Sequence, residues 1–182
     1  MASNNWYVIT GAPSTGKSTL LKELNNLGYN TVEEAARIII DGALAKSIPV
    51  EELRSNEKRF QEDVLRLKEK TEATQNKSVL TFFDRGIQDT LAYMRCYEFS
   101  ISKKIMSIMN ASRYKKVFLL EPLSSYKYDY ARTENFKSAD IIQKMLYDVY
   151  SEFGMIPAHV PDIGLEGRVK FILDIVKAEQ NI

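Results

Sequence analysis

Residues 11–18 read Gly-Ala-Pro-Ser-Thr-Gly-Lys-Ser, "GAPSTGKS", between the apolar run "WYVIT" of residues 6–10 and "TLLKELNNLG" of residues 19–28. The run before the loop is strand-like, and Leu20, Leu21, Leu24 and Leu27 repeat at helical spacing before Gly28. Strand, glycine loop and helix therefore follow in that order. A loop so placed turns backbone N–H groups inward around phosphate oxygens, with the positive end of the helix dipole behind them. The spacing assigns Lys17 to the β and γ phosphates of ATP or a similar triphosphate, and the Ser18 hydroxyl to Mg²⁺. Gly11, Ala12, Pro13, Ser14, Thr15, Gly16 and Thr19 complete the cradle. A plain glycine turn accounts for one glycine but not for a lysine at the helix start.

Outward from this loop the chain alternates strands and helices. Tyr29–Val32 reads as a second strand and "EEAARIIIDGALA" as a helix ending near Lys46. A long helix follows from Val50 to about Thr74, with Leu53, Phe60, Val64 and Leu67 as its apolar stripe and most of its charges on a solvated face. Ser78–Asp84, "SVLTFFD", has the unbroken apolar character of a strand buried on both sides. Helices over 87–99 and 103–111, the strand in "KKVFLLEP", a helix capped by Ser138, a short strand in "MIPAHVP" and a C-terminal helix complete the pattern. Such alternation predicts an α/β fold, three-layer αβα, on a parallel sheet of about five strands.

Composition narrows the function. With 25 Lys+Arg against 24 Asp+Glu, the net charge of +1 provides no field to hold nucleic acid or an anionic membrane, so a small-molecule partner is expected. Over 182 residues with no repeat or linker, a single domain spanning 1–182 is expected. One cysteine, Cys96, and no secretory apolar segment point to a reduced, cytoplasmic setting. The apolar runs are strand length, far below the ~20 residues a bilayer requires. His159, the one histidine, has no second ligand near it, so neither zinc nor a Ser-His relay is supported. Met106, Met109 and Met155 read as core filling. A P-loop needs a second carboxylate on the metal side, and Asp84, at the end of its strand, is placed to supply it.

Taken together, "GAPSTGKSTL", "EEAAR", "FDRGIQDTLAY", "YDYAR" and "IGLEGRVKFIL" resemble the small AAA-type predicted ATPases and kinases related to the ribosylnicotinamide kinase domain of the bacterial NAD regulator, and more distantly the deoxynucleoside and thymidylate kinases. The resemblance implies a P-loop kinase fold and places further residues. Glu34, with Arg37 in an E-x-x-R pattern, would lie near the acceptor as base or orienting group, whereas Glu33 does not fit the pattern. Arg85, after Asp84, would face the acceptor or the transferred phosphate. Asp89 and Tyr93 would contact a sugar and cover a ring. The connection around 122–138 corresponds to a lid, in which Arg132, flanked by Lys127 and Lys137, would neutralise charge on the transferred group. Arg168 would stand near the adenine. The implied activity is Mg-ATP-dependent phosphoryl transfer to a nucleoside, nucleotide or related acceptor. The alternative is an ATPase switch that signals to a protein partner.

Overall fold

Strand β1 (Trp6–Thr10) is buried along its whole length, and its side chains divide strictly by parity. Trp6 and Val8 enter one core with Phe83, Val117 and Leu119, whereas Tyr7 and Ile9 enter the other with Phe82, Phe118 and Leu120. The period of two thus supplies two apolar faces, and each fully buried aliphatic side chain stabilises the sheet by about 1.5–3 kcal/mol. The computed structural model describes residues 4–124 and 136–180.

Five parallel strands run in the order β2 (Asn30–Val32), β3 (Thr81–Asp84), β1, β4 (Lys116–Leu120), β5 (Ala158–Val160). Trp6 pairs with Thr81 on one side of β1, and Tyr7 with Lys116 on the other. Helices α1 (Lys17–Asn26) and α8 (Gly164–Gln180) cover the Tyr7 face. The Trp6 face is covered by α4 (Glu57–Thr74), α5 (Ile87–Cys96), α6 (Lys103–Ala111) and α7 (Phe136–Glu152). The result is the three-layer α/β fold that the alternation predicts. Because the chain runs from β1 to the β2 edge, returns to β3 beside β1 and then crosses to β4 on its other side, a crevice opens at the C-terminal end of β1, where such folds bind ligands. Among the described residues, no helix is long and apolar enough to cross a membrane.

Several boundaries differ from the sequence reading. Helix α2 (Ala35–Leu44) ends two residues before Lys46. The helix expected from Val50 to Thr74 is broken into α3 (Val50–Leu53), a 3₁₀ turn at Arg54–Asn56 and α4. Two polar side chains compete with the backbone there: Ser55 Oγ donates to Glu52 O at 2.7 Å, and Asn56 Oδ1 accepts the Arg59 N–H at 3.0 Å, restarting the helix as its cap. β3 starts at Thr81 because Ser78 and Val79 fold back onto Asn76. α7 starts at Phe136, ahead of the expected Ser138 cap.

Candidate functional site

The loop after β1 has the backbone its sequence demands. Gly11 takes φ +145°, and a Cβ there would lie 2.9 Å from Leu120 O, so both conformation and space require glycine. Ser14 and Gly16 also have positive φ, 66° and 87°. The buried Lys17 Nζ folds back over the loop and donates to Ala12 O at 2.7 Å and Gly11 O at 3.0 Å. Two distant side chains hold the loop from outside. Gln143 of α7 accepts the Ala12 N–H through Oε1 at 2.7 Å and donates through Nε2 to Leu120 O at 2.9 Å. Arg168 is buried and donates to Thr15 O, Pro161 O and Glu121 O at 2.7, 2.9 and 2.6 Å. The residue expected beside the adenine is thus an internal brace joining the loop to the ends of β4 and β5.

A cleft of about 580 Å³ runs from this loop to the far side of α2, and Lys17, Ser18, Glu34, Arg37, Arg85 and Tyr93 all line it. Arg85 is the hub of a polar cluster in this cleft. Its Nε donates to Glu34 Oε1 at 2.7 Å, its Nη1 to Asp89 Oδ1 at 3.1 Å, and its guanidinium lies 5.3 Å from the Tyr93 ring centroid. Phe60 and Val64 of α4 supply an apolar wall. Asp89 departs from its expected contact with a sugar. It is 1% exposed, and its two oxygens accept from Thr10 Oγ1, Arg85, the Gly86 N–H and the Tyr150 hydroxyl, which fills the acceptor capacity of a carboxylate. Arg132 and Lys127 lie outside the described residues, and of Lys137 only the backbone is described.

The electrostatics match this crowding. Burial, then the neighbouring Arg85, lowers Lys17 to about 7. Burial, then Glu34, raises Asp84 to about 6. Burial also pushes Glu34 upward, but Arg85, Lys17 and Lys68 more than offset it and hold its carboxyl below the usual range. Arg85 loses hydration too, and Tyr93, Glu34 and Asp89 overcompensate, so it stays firmly charged.

Asp84 Oδ1 is buried and has no hydrogen-bond partner among the described residues. An orphaned carboxylate oxygen at the end of the strand beside the loop fits a divalent cation shared with the Ser18 hydroxyl, a hard oxygen donor set suited to Mg²⁺. Among the described residues no group of three or more His, Cys, Asp or Glu side chains could hold a metal unaided.

Comparison with known proteins adds to this geometry. A profile of the AAA domain family matches residues 6–168. The chain belongs to the AAA domain family. Among proteins of curated function, none matches the sequence. Among solved structures, this AAA domain superposes on deoxyadenosine kinase from M. mycoides with a TM-score of 0.62 at 14% identity, covering 95% of this chain and 98% of that one. It superposes on NadR, solved in complex with NR, with a TM-score of 0.69 at 19% identity, covering 96% of this chain and 50% of that one. Thymidylate kinase from Ehrlichia chaffeensis gives 0.65 at 12% identity over 94% and 97% of the two chains. At these identities the likeness establishes a shared fold, that of the P-loop kinases which the sequence resembles.

Residues outside the sequence expectations also enter the site. Lys68, Tyr114 and Tyr150 are buried around the turn that carries Arg85, and Gln61 and Lys68 line the cleft from α4. Glu72 accepts from Tyr114, and burial pushes its carboxyl above the usual range. Nothing local marks these residues, because helical spacing alone does not tell a buried lysine from an exposed one. The one usable signal is that Gln61 and Lys68 stand one and four positions after Phe60 and Val64, on the edge of the apolar stripe.

Proposed function

We propose that the protein is a Mg-ATP-dependent phosphotransferase acting on a small nucleoside-like acceptor. The observation that carries this reading is the Glu34–Arg85 ion pair, set in the same cleft as the P-loop lysine. A nucleotide switch needs only the loop and its metal side. A second acid–cation pair lining the same cavity, its arginine buried and its glutamate partly exposed, serves a second substrate. The likeness in fold to kinases solved with a nucleoside-type ligand or with nucleotide products supports the same class of acceptor.

Each residue then has a task that follows from its surroundings. The amides of residues 11–19 and the Lys17 ammonium hold the triphosphate, and Lys17 exchanges its contacts with Gly11 O and Ala12 O for phosphate oxygens. Ser18 and Asp84 would hold a magnesium ion, which would supply charge neutralisation to the phosphates. Glu34 is held ionised by Arg85. A carboxyl below the usual range is a weak base, so its task is to accept a hydrogen bond from the acceptor hydroxyl and aim it, with full proton transfer late in the reaction. Arg85 presents positive charge where charge develops on the transferred group. Tyr93, Phe60 and Val64 offer flat apolar surface to a ring. Arg37, exposed at the cleft wall, meets the outer part of the acceptor. Arg132 remains our candidate for a second cation over the phosphates.

Incubation with Mg-ATP and pooled nucleosides and nucleotides, read by mass, tests the reading. The expected result is an acceptor heavier by one phosphoryl group together with ADP. Formation of ADP at one rate with and without the pool, and no heavier product, would instead establish the ATPase alternative.

A further inference from the structure

Two consecutive amides at the start of α5 are capped by hydroxyls from distant parts of the chain. The Gly86 N–H is shared between Asp89 Oδ2 at 3.0 Å and the Tyr150 hydroxyl at 3.2 Å, and the Ile87 N–H donates to the Tyr114 hydroxyl at 2.7 Å. Each hydroxyl donates its own proton onward, Tyr150 to Asp89 and Tyr114 to Glu72. The Gly86 carbonyl accepts from the Lys68 ammonium at 2.6 Å, and the Arg85 N–H donates to Ile9 O at 3.1 Å. Three successive N–H groups and a carbonyl are therefore pinned by β1, α4, α5, α7 and the residue two before β4.

The pinned turn is a strained one. Arg85 has φ +65°, a left-handed conformation that is sterically costly for any residue with a Cβ and persists only where its surroundings over-determine it. Gly86, at an ordinary φ of −87°, is glycine for space: a Cβ would come within 2.5 Å of the Tyr150 hydroxyl and 2.6 Å of the Tyr114 ring. The pins are also chemically expensive. Lys68 is 7% exposed, its ammonium donates to a backbone carbonyl, and no carboxylate lies within ion-pair distance among the described residues. Methionine would fill that space without burying a charge, and phenylalanine would fill the space of either tyrosine. Packing alone does not require these polar atoms, whereas the geometry of residues 85–87 does.

We propose that Lys68, Tyr114 and Tyr150 are positioning residues for Arg85: by fixing the left-handed turn they aim its guanidinium at Glu34 and the cleft. This rests on the phosphotransferase reading of the cleft.

The test compares Lys68→Met, Tyr114→Phe and Tyr150→Phe, with Tyr7→Phe as control, since the Tyr7 hydroxyl is buried in the opposite core with no hydrogen-bond partner among the described residues. The readout is hydrogen exchange of the Arg85 Nε–H in nitrogen-15 NMR, a signal assigned by its loss in Arg85→Lys, alongside Mg-ATP affinity by calorimetry. Exchange is expected to accelerate at least about tenfold in the Lys68 and Tyr150 variants as the turn opens locally, with Mg-ATP affinity held within about twofold and the Tyr7 control unchanged. Exchange in folded Tyr150→Phe that matches the wild type overturns the proposal, and this variant decides alone should Lys68→Met not fold. A merely structural role lowers the melting temperature and leaves the Arg85 signal as it was. None of these measurements requires turnover, so absence of phosphoryl transfer would sink the kinase reading without altering this result.

Discussion

The two ends of the cleft are built by different means. The end proposed for phosphates is made by nine consecutive residues, 11–19, which would grip mostly through backbone amides, and its lysine, Lys17, rests on carbonyls of its own loop. The end proposed for the acceptor is made of side chains. Glu34, Lys68, Arg85, Asp89, Tyr114 and Tyr150 come from separate elements and meet only in the folded chain. A backbone site is tolerant of side-chain loss, and its function can be removed without harming the fold. In a side-chain site made of buried charges, each member depends on the next, so function and stability fall together.

Removing the cation at each end should therefore have opposite effects on stability. Arg85→Met leaves Asp89, 1% exposed, and Glu34 without their partner, and urea unfolding is expected to show a loss of about 3–5 kcal/mol. Lys17→Met removes a charge that burial already disfavours, so stability should hold or rise while calorimetry detects no Mg-ATP binding. Equal destabilisation by the two would erase the contrast.

Gly86→Ala ranks next. Its Cβ has no room against Tyr150 and Tyr114, an overpacking that destabilises by about 1–3 kcal/mol, measurable in the same unfolding experiment. A neutral result would mean that the turn can shift.

Protonation sharpens the comparison further. At pH 8 a Lys17 with a pKa near 7 is largely neutral in the free protein, and phosphates beside it favour the charged form. Binding of Mg-ATP should then take up close to one proton, seen as a calorimetric enthalpy that changes with buffer, and affinity should weaken as pH rises above about 7. Below about pH 6 Asp84 is protonated, so magnesium must displace a proton and its affinity falls. The free protein's stability follows the same linkage. The unfolded chain holds more protons at Lys17 between about 7 and 10.5, so stability rises with pH there; the folded chain holds more at Asp84 between 3.8 and about 6, so stability falls with pH there.

The smallest effect belongs to a pair outside the cleft. Arg95 and Glu152 form a two-pronged contact at 2.6 and 3.1 Å, but both side chains are more than 30% exposed. Glu152→Gln should change stability by less than about 1 kcal/mol and leave nucleotide affinity unaltered.

How much of this was legible in the sequence follows the same division. The loop, its flanking strand and helix, and the parallel sheet are local or periodic features, and residues 11–19, Asp84 and the five strands could be read directly. Glu34 and Arg85 were reached only through resemblance, and Asp89 with the wrong partner in view, because an aspartate one helical turn after an arginine looks the same facing inward as outward. Lys68 was lost among the charges of α4. The polar pair Ser55-Asn56, which breaks that helix, carried a cap signal that the apolar stripe overrode. Tyr114 and Tyr150 could not be found at all, since only tertiary structure brings their hydroxyls to residues 86 and 87.

The claim that both ends of the cleft serve one reaction is tested most directly by following the γ-phosphate of labelled ATP in wild type and Glu34→Gln, with Mg-ATP affinity measured on the same samples. We expect label on a nucleoside-sized acceptor in the wild type, a fall of roughly 100-fold or more in the variant, and nucleotide affinity changed no more than about twofold. Equal transfer by the two proteins, or label found in inorganic phosphate alone, would contradict it.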